Sequence, residues 1–352
     1  MNFKGNEVFC EDPAVGNVYR NDYMAGIHAF IQKNNREGAH RRTAFIPPHK
    51  LVENSERFRQ EFLEMLGMHR IPKGTVPAPT MQYVSEDAFC KIYRVQVYIT
   101  EEIPFYGMLL LPHGEGEHPL VVCQHGGTGT PELLAGFNGH NNYGFVAQRF
   151  LEKGAAVVLP QLMLWNLEEI PTARDYKVPY DRKQCDTDLR RFGITLTGLE
   201  IRGIMKLIDF ATAQPTVSAT EIGMAGLSYG GYFTLYTMAA DTRIKAGFSA
   251  GCFNNRGGYA WRDTTYLCSG NTFEDAEVAA LCAPRPLYVA VGTEDQVFDY
   301  RTAIPETERA KAYFEAYGCP ENFVFELWEG GHHFPESDAG FAFTMNAIRG
   351  KS

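Results

Sequence analysis

The 352-residue sequence has no Cys-x-x-Cys pair, no His-Glu-x-x-His spacing, no fixed-period repeat and no apolar run longer than a few residues. The first two absences remove zinc ribbons, thioredoxin-like redox motifs and the common hydrolytic zinc site. Adjacent His332 and His333 do not restore a metal reading, because neighbouring side chains on an extended segment point apart. Neither a metal nor a cofactor is therefore expected. Runs such as Met108 to Leu111 and Ala155 to Pro160 are far too short to cross a bilayer, which takes about 20 residues. Lys4, Glu7, Glu11, Asp12 and Arg20 break up the first thirty residues and leave no apolar signal core. The eight cysteines are scattered and read as small buried residues of a reducing compartment, so a cytoplasmic location is expected unless a leader has been removed. Basic residues are also short, 33 against 42 acidic, for a net charge of −9. That balance gives no field for a polyphosphate backbone, so nucleic acid is excluded as the main partner. Neither membrane nor strongly anionic substrate is expected.

What is present is enough for a full core: 45% of residues are apolar and 13% aromatic. Tyr19, Tyr23, Ile27, Phe30 and Ile31 recur at helical spacing, which predicts one amphipathic helix. A second follows the cap candidates Asn54 and Ser55, carries Phe58, Phe62, Leu63 and Leu66, and stops at Gly67. Ile71 to Pro79, with three prolines and a glycine, marks a boundary. Residues 1–80 are thus expected as an N-terminal helical extension, too small for its own core and packed on the rest of the chain or on a partner subunit. A homo-oligomer is compatible with that reading.

Beyond the boundary, Lys91 to Thr100 and Phe105 to Leu111 read as an antiparallel hairpin. Short buried runs then alternate with helical patterns up to the strand Phe323 to Trp328 and a final helix. This predicts an α/β domain over 81–352, a mostly parallel central sheet with helices on both faces, and chemistry at the carboxyl ends of its strands. Two connections, Pro160 to Ile194 and Gly251 to Phe273, are too long for plain loops and are expected to wall a pocket.

Ile222 to Gly231 contains Gly-x-Ser-x-Gly centred on Ser228, between an apolar strand and a helix, the context a sharp strand-to-helix turn needs. A second match, centred on Ser249, runs into Cys252 to Gly258, where no helix is patterned; a small residue at a strand end is the expected role there. A serine hydroxyl needs a base oriented by a carboxylate. Glu294 and Asp295 follow one later strand, and His332 and His333 follow the next, in the chain order Ser, Asp, His. The first donor for an oxyanion is the main-chain N–H of Tyr229, which follows the nucleophile at the helix start.

These stretches, with Cys123-Gln-His-Gly-Gly-Thr128, Ala283-Pro-Arg-Pro-Leu-Tyr-Val289 and Glu329-Gly-Gly-His-His-Phe334, resemble α/β-hydrolase-fold serine esterases of the dienelactone-hydrolase-like and acetyl xylan esterase branch. The resemblance covers the chain from about Tyr83 onward. It implies Asp295 over Glu294 as the orienting acid and His332 over His333 as the base, and it implies Gly127 as the second oxyanion donor. Dienelactone hydrolases proper use cysteine where this chain has Ser228, so the implied substrate moves from an enol lactone to an ordinary ester. The implied activity is hydrolysis of a carbohydrate acyl ester or another small carboxylic ester through an acyl-enzyme. Trp165, His125 and His333 are candidate pocket residues, with His125 also a support for its loop. Two other readings compete: a prolyl-oligopeptidase-like peptidase, for which eighty helical residues cannot build the usual propeller, and a catalytically silent binding protein, for which the retained triad residues are unexpected.

Overall fold

The chain opens with two helices whose relation to the rest differs sharply. The computed structural model describes residues 11–139, 143–163, 181–259 and 261–350. Helix α1 (Asn17–Phe45) buries only Gly38 and Arg42 along its 29 residues. The helix predicted over Tyr19 to Ile31 is present, but its apolar stripe stands in solvent instead of on a core. Helix α2 (Pro48–Met65) starts ahead of the expected caps, because Pro48 at its first turn is already set for helical φ. Asn54 instead marks a kink at φ −121°, where its side-chain amide donates to Lys50 O at 2.8 Å and competes with the main-chain ladder. Leu51, Phe58, Phe62 and Leu66 of this helix pack in one cluster with Tyr236, Leu281 and Phe314 of the domain that follows.

Strands β1 (Thr80–Glu86), β2 (Cys90–Tyr98) and β3 (Pro104–Pro112) form an antiparallel meander, with Gln96 opposite Tyr106 across the predicted hairpin. β1 is an addition to the sequence reading; it is an exposed edge strand with no clean apolar alternation. Next come β4 (His118–Gln124), α3 (Pro131–Leu134), α4 (Val146–Glu152) and β5 (Ala156–Pro160). The first long connection contains α5 (Arg182–Arg190) and leads to α6 (Leu196–Thr212). The chain then alternates β6 (Val217–Leu227), α7 (Tyr229–Ala240), β7 (Ile244–Ala250), α8 (Asp275–Cys282), β8 (Leu287–Gly292), α9 (Tyr300–Ala316), β9 (Phe323–Trp328) and α10 (Ala339–Ile348).

The nine strands make one sheet in the order β1-β2-β3-β5-β4-β6-β7-β8-β9, parallel from β5 to β9. The two-residue period of a strand feeds both faces. In β4, Leu120 and Val122 join the core under α2, α6, α7 and α8, while Val121 and Cys123 join the opposite core under α4 and α10. Burial on both sides explains why these strands read as continuous apolar runs. All six parallel strands point their carboxyl ends the same way, which brings the segments after β4, β6, β8 and β9 to one edge of the sheet. No helix among the described residues is long and apolar enough to cross a membrane.

Candidate active site

Ser228 lies between the last residue of β6 and the first of α7, at φ 59° and ψ −123°. A side chain rarely adopts such a backbone, and holding it there costs about 1–3 kcal/mol. The surroundings enforce it. A Cβ at Gly226 would meet Gly230 O at 2.2 Å, and a Cβ at Gly230 would meet Gln124 O at 2.1 Å, so the turn can be this sharp only with glycine at both positions. Ser228 N–H donates to Ala250 O at 2.8 Å, which ties the turn to the end of β7. The rival Ser249 is buried inside β7, and its hydroxyl donates to Gly231 O at 2.9 Å.

The carboxyl ends of β8 and β9 bring the acid and the histidine together. His332 Nδ1 is 2.8 Å from Asp295 Oδ2, and the Asp295 carboxylate is fully buried. Its other oxygen accepts from Val297 N–H at 2.7 Å and from Phe298 N–H at 3.0 Å. Burial pushes the acid up, but the hydrogen bonds from His332 and the two amides outweigh it and hold the carboxyl below its ordinary value. Glu294 is exposed. The His332 ring lies beside Gly251, where a Cβ would sit 3.4 Å from its Cε1. Gly251 directly follows Ala250, the acceptor for Ser228 N–H, so the histidine and the serine flank the same turn.

The loop after β4 also approaches Ser228. A Cβ at Gly126 would be 3.6 Å from Ser228 Cβ, and a turn closed by Gly129 N–H on Gly126 O places Gly127 at its tip. Tyr229 N–H belongs to the first turn of α7, where main-chain donors point off the helix end. The sequence reading has His125 as a support for its loop but does not show what fixes Tyr229. His125 is buried: its Nε2 accepts from Leu162 N–H at 3.0 Å, which leaves the proton on Nδ1, 2.7 Å from Gly126 O. Both ring nitrogens are thus engaged by main-chain groups, one in the loop after β4 and one at Leu162. Arg182 and Glu200, both buried, pair at 2.8 Å. Glu200 accepts from Met163 N–H at 2.7 Å, and Arg182 donates to the Tyr229 hydroxyl. Residues 161–163 are thereby tied to the Gly126 loop through His125 and to Tyr229 through Arg182. No short motif announces this pair, because its members are joined only by the fold.

Burial lowers the His125 pKa to about 4 from 6.5, opposed by the Gly126 carbonyl and aided by the nearby Arg182 charge. An unfolded chain takes up this proton near pH 6.5 and the folded one only near pH 4. The stability linked to His125 is therefore complete above that window and lost as pH falls through it, by about 3 kcal/mol. Urea unfolding of the wild type and His125→Gln between pH 7 and pH 4 measures it as the difference between the two slopes. Equal slopes would remove the assignment.

A cleft of about 590 Å³ opens beside His332, walled by Gly144, Arg149, His333, Phe334 and Glu336. His333 is exposed on this wall, edge-on to Trp328 at 4.7 Å. The second long connection supplies Tyr259 and Trp261, which pack on Phe298 at 5.3 Å each; Phe298 in turn packs against the His332 ring at 5.8 Å. Another cavity of similar volume, lined by Phe45, Met65, Arg190, Ile194, Leu267 and Phe273, contains none of the site residues. Trp165 lies outside the described residues.

No protein-family description matches the chain, and no curated protein does. Solved structures do. A protein assigned as an acetyl xylan esterase from Bacteroides fragilis is similar at TM-score 0.65 and 17% identity, covering 85% of this chain and 83% of its own. A methylesterase is similar at TM-score 0.65 and 16% identity, with 90% and 68% covered. Acetyl xylan esterase 1 from Thermoanaerobacterium sp. gives TM-score 0.51 and 16% identity, with 84% and 94% covered. With its parallel sheet, flanking helices and these structural neighbours, the chain has the α/β-hydrolase fold.

Proposed function

We propose that the protein is a serine hydrolase that cleaves carboxylic esters through an acyl-enzyme. The observation that carries this reading is the 2.8 Å His332–Asp295 hydrogen bond beside a serine held at φ 59° on a glycine-lined strand-to-helix turn. Asp295 keeps the His332 proton on Nδ1 and leaves Nε2 as the base. His332 takes the Ser228 proton as Oγ bonds to the ester carbonyl carbon, and the carbonyl electrons move onto oxygen. Tyr229 and Gly127 N–H groups receive that oxyanion, a contribution typically on the order of 10²–10³ in rate per donor. Collapse breaks the bond to the alkoxy oxygen, which leaves with the proton from His332. Water, deprotonated by His332, then attacks the acyl carbon and returns Ser228 with its proton.

The substrate class in this proposal is an acylated or esterified carbohydrate or another small ester. Support comes from the structural neighbours, which include acetyl xylan esterases, a methylesterase and a glucuronoyl esterase. The cleft beside His332 has the His333 ring on its wall; its Nδ1 donates to Phe334 O at 2.9 Å, which leaves Nε2 to accept from an alcohol or sugar hydroxyl. A panel of acetyl, longer acyl and feruloyl esters on sugar and nitrophenyl alcohols, with methyl uronates and an aminoacyl amide alongside, tests the reading. Ester hydrolysis with the amide untouched is the expected result. Amide cleavage without ester cleavage would replace it with the peptidase reading.

A further inference from the structure

Helix α1 leaves bare a face that the physics of helices does not leave bare without a partner. Tyr19, Tyr23, Met24, Ile27, Phe30 and Ile31 are between 41% and 77% exposed. Tyr19, Tyr23, Ile27 and Ile31 step by four residues, with Met24 and Phe30 three from Ile27, and the same face carries Gly38 and Arg42, where the helix meets the body. That end is firmly fixed. Arg42 pairs with Glu274 at 2.8 Å and with Glu277 at 2.9 Å, and a Cβ at Gly38 would touch Gly270 O at 3.0 Å. Asn35 donates to Gly257 O at 3.3 Å, and toward the N-terminus from there every residue from Asn17 to Asn34 is solvent-facing except the half-buried Asn34 itself. Gly26, within this bare stretch, costs about 1 kcal/mol against alanine, so propensity alone adds little to hold it helical. Tertiary packing on the apolar face is the ordinary source of such a helix's stability.

We propose that this face is the contact between two copies of the chain, α1 against α1 across a two-fold axis. The size fits. Six side chains of these types at these exposures offer roughly 700 Å² per copy, near the ~800 Å² per partner of a stable interface. The charge fits as well. Between Asn17 and Glu37 the helix carries Arg20, Lys33 and Arg36 against Asp22 and Glu37, so it is nearly neutral in a chain of net charge −9. Two copies meeting here keep their acidic surfaces apart. The same three cations are too few and too spread to hold an anionic membrane, which selects clustered basic residues. An isologous contact uses the identical patch twice and closes on itself, so it yields a dimer and not a filament.

Sedimentation velocity and light scattering of the full chain across the micromolar range test the proposal. The wild type should show twice 39.5 kDa. The double variant Tyr23→Lys/Ile27→Lys should fall to a single copy, with its melting temperature measured to show an intact fold. Phe192→Lys, at an exposed aromatic far from this stripe in sequence, should remain dimeric. Hydrogen exchange should protect amides 17–34 in the wild type and release them in the double variant, which a general loss of solubility would not do. A wild type that is a single copy throughout, including one that binds vesicles or oligosaccharides through α1, overturns the proposal. So does a double variant that still dimerises.

Discussion

Ser228→Ala is expected to lower kcat for an ester substrate by a factor on the order of 10⁵, with the fold unchanged, as removal of a triad serine does elsewhere. The backbone at 228 stays where Gly226 and Gly230 force it, so alanine inherits the same conformation and loses only the hydroxyl. Labelling by a fluorophosphonate should disappear with it. Ser249→Ala supplies the control. Its hydroxyl is buried and bonded to Gly231 O, so the substitution costs roughly 1 kcal/mol of stability and leaves labelling in place. Labelling that persists in Ser228→Ala and vanishes in Ser249→Ala would move the nucleophile to the second Gly-x-Ser-x-Gly match and undo the mechanism proposed here.

The contrast between those two serines shows what sequence could tell. Both sit in the same five-residue pattern at the end of an apolar strand, and only the helical pattern after Ser228 separates them. The strand-to-helix context was legible because it is local: an apolar run, glycines where a Cβ cannot fit, then helix formers. Strands β4, β5 and β8 were legible for the same reason, since burial on both faces writes them as uninterrupted apolar runs. Lys91 to Thr100 was legible from its alternation.

What sequence hid is what long-range contacts decide. Arg182 and Glu200 are ordinary charged residues in the chain, yet they are buried together beneath Tyr229. His125 is legible as a support for its loop, but not the partners, Leu162 N–H and Gly126 O, that close around its ring. The stripe on α1 made the helix legible but left its cover open between the rest of the chain and a partner subunit, because periodicity reports that a face is apolar and not what covers it.

The second large effect separates two adjacent histidines. His332→Ala is expected to reduce kcat by at least about 10³, and Asp295→Asn by about 10⁴, because an amide in place of the carboxylate favours the wrong imidazole tautomer. His333→Ala should change kcat only a few-fold and act mainly on KM, since its ring faces the cleft and its Nδ1 contacts Phe334 O at 2.9 Å, not a carboxylate. The effects at 295 and 332 should not add. Once His332 is gone, Asp295 has no imidazole to orient, so His332→Ala/Asp295→Asn should be little slower than His332→Ala alone, whereas combining His333→Ala with either should multiply. Single-turnover rates on one nitrophenyl ester across these six variants decide it. Equal losses at 332 and 333, or independent losses at 295 and 332, would mean that the hydrogen bond between Asp295 and His332 is structural and that the base lies elsewhere.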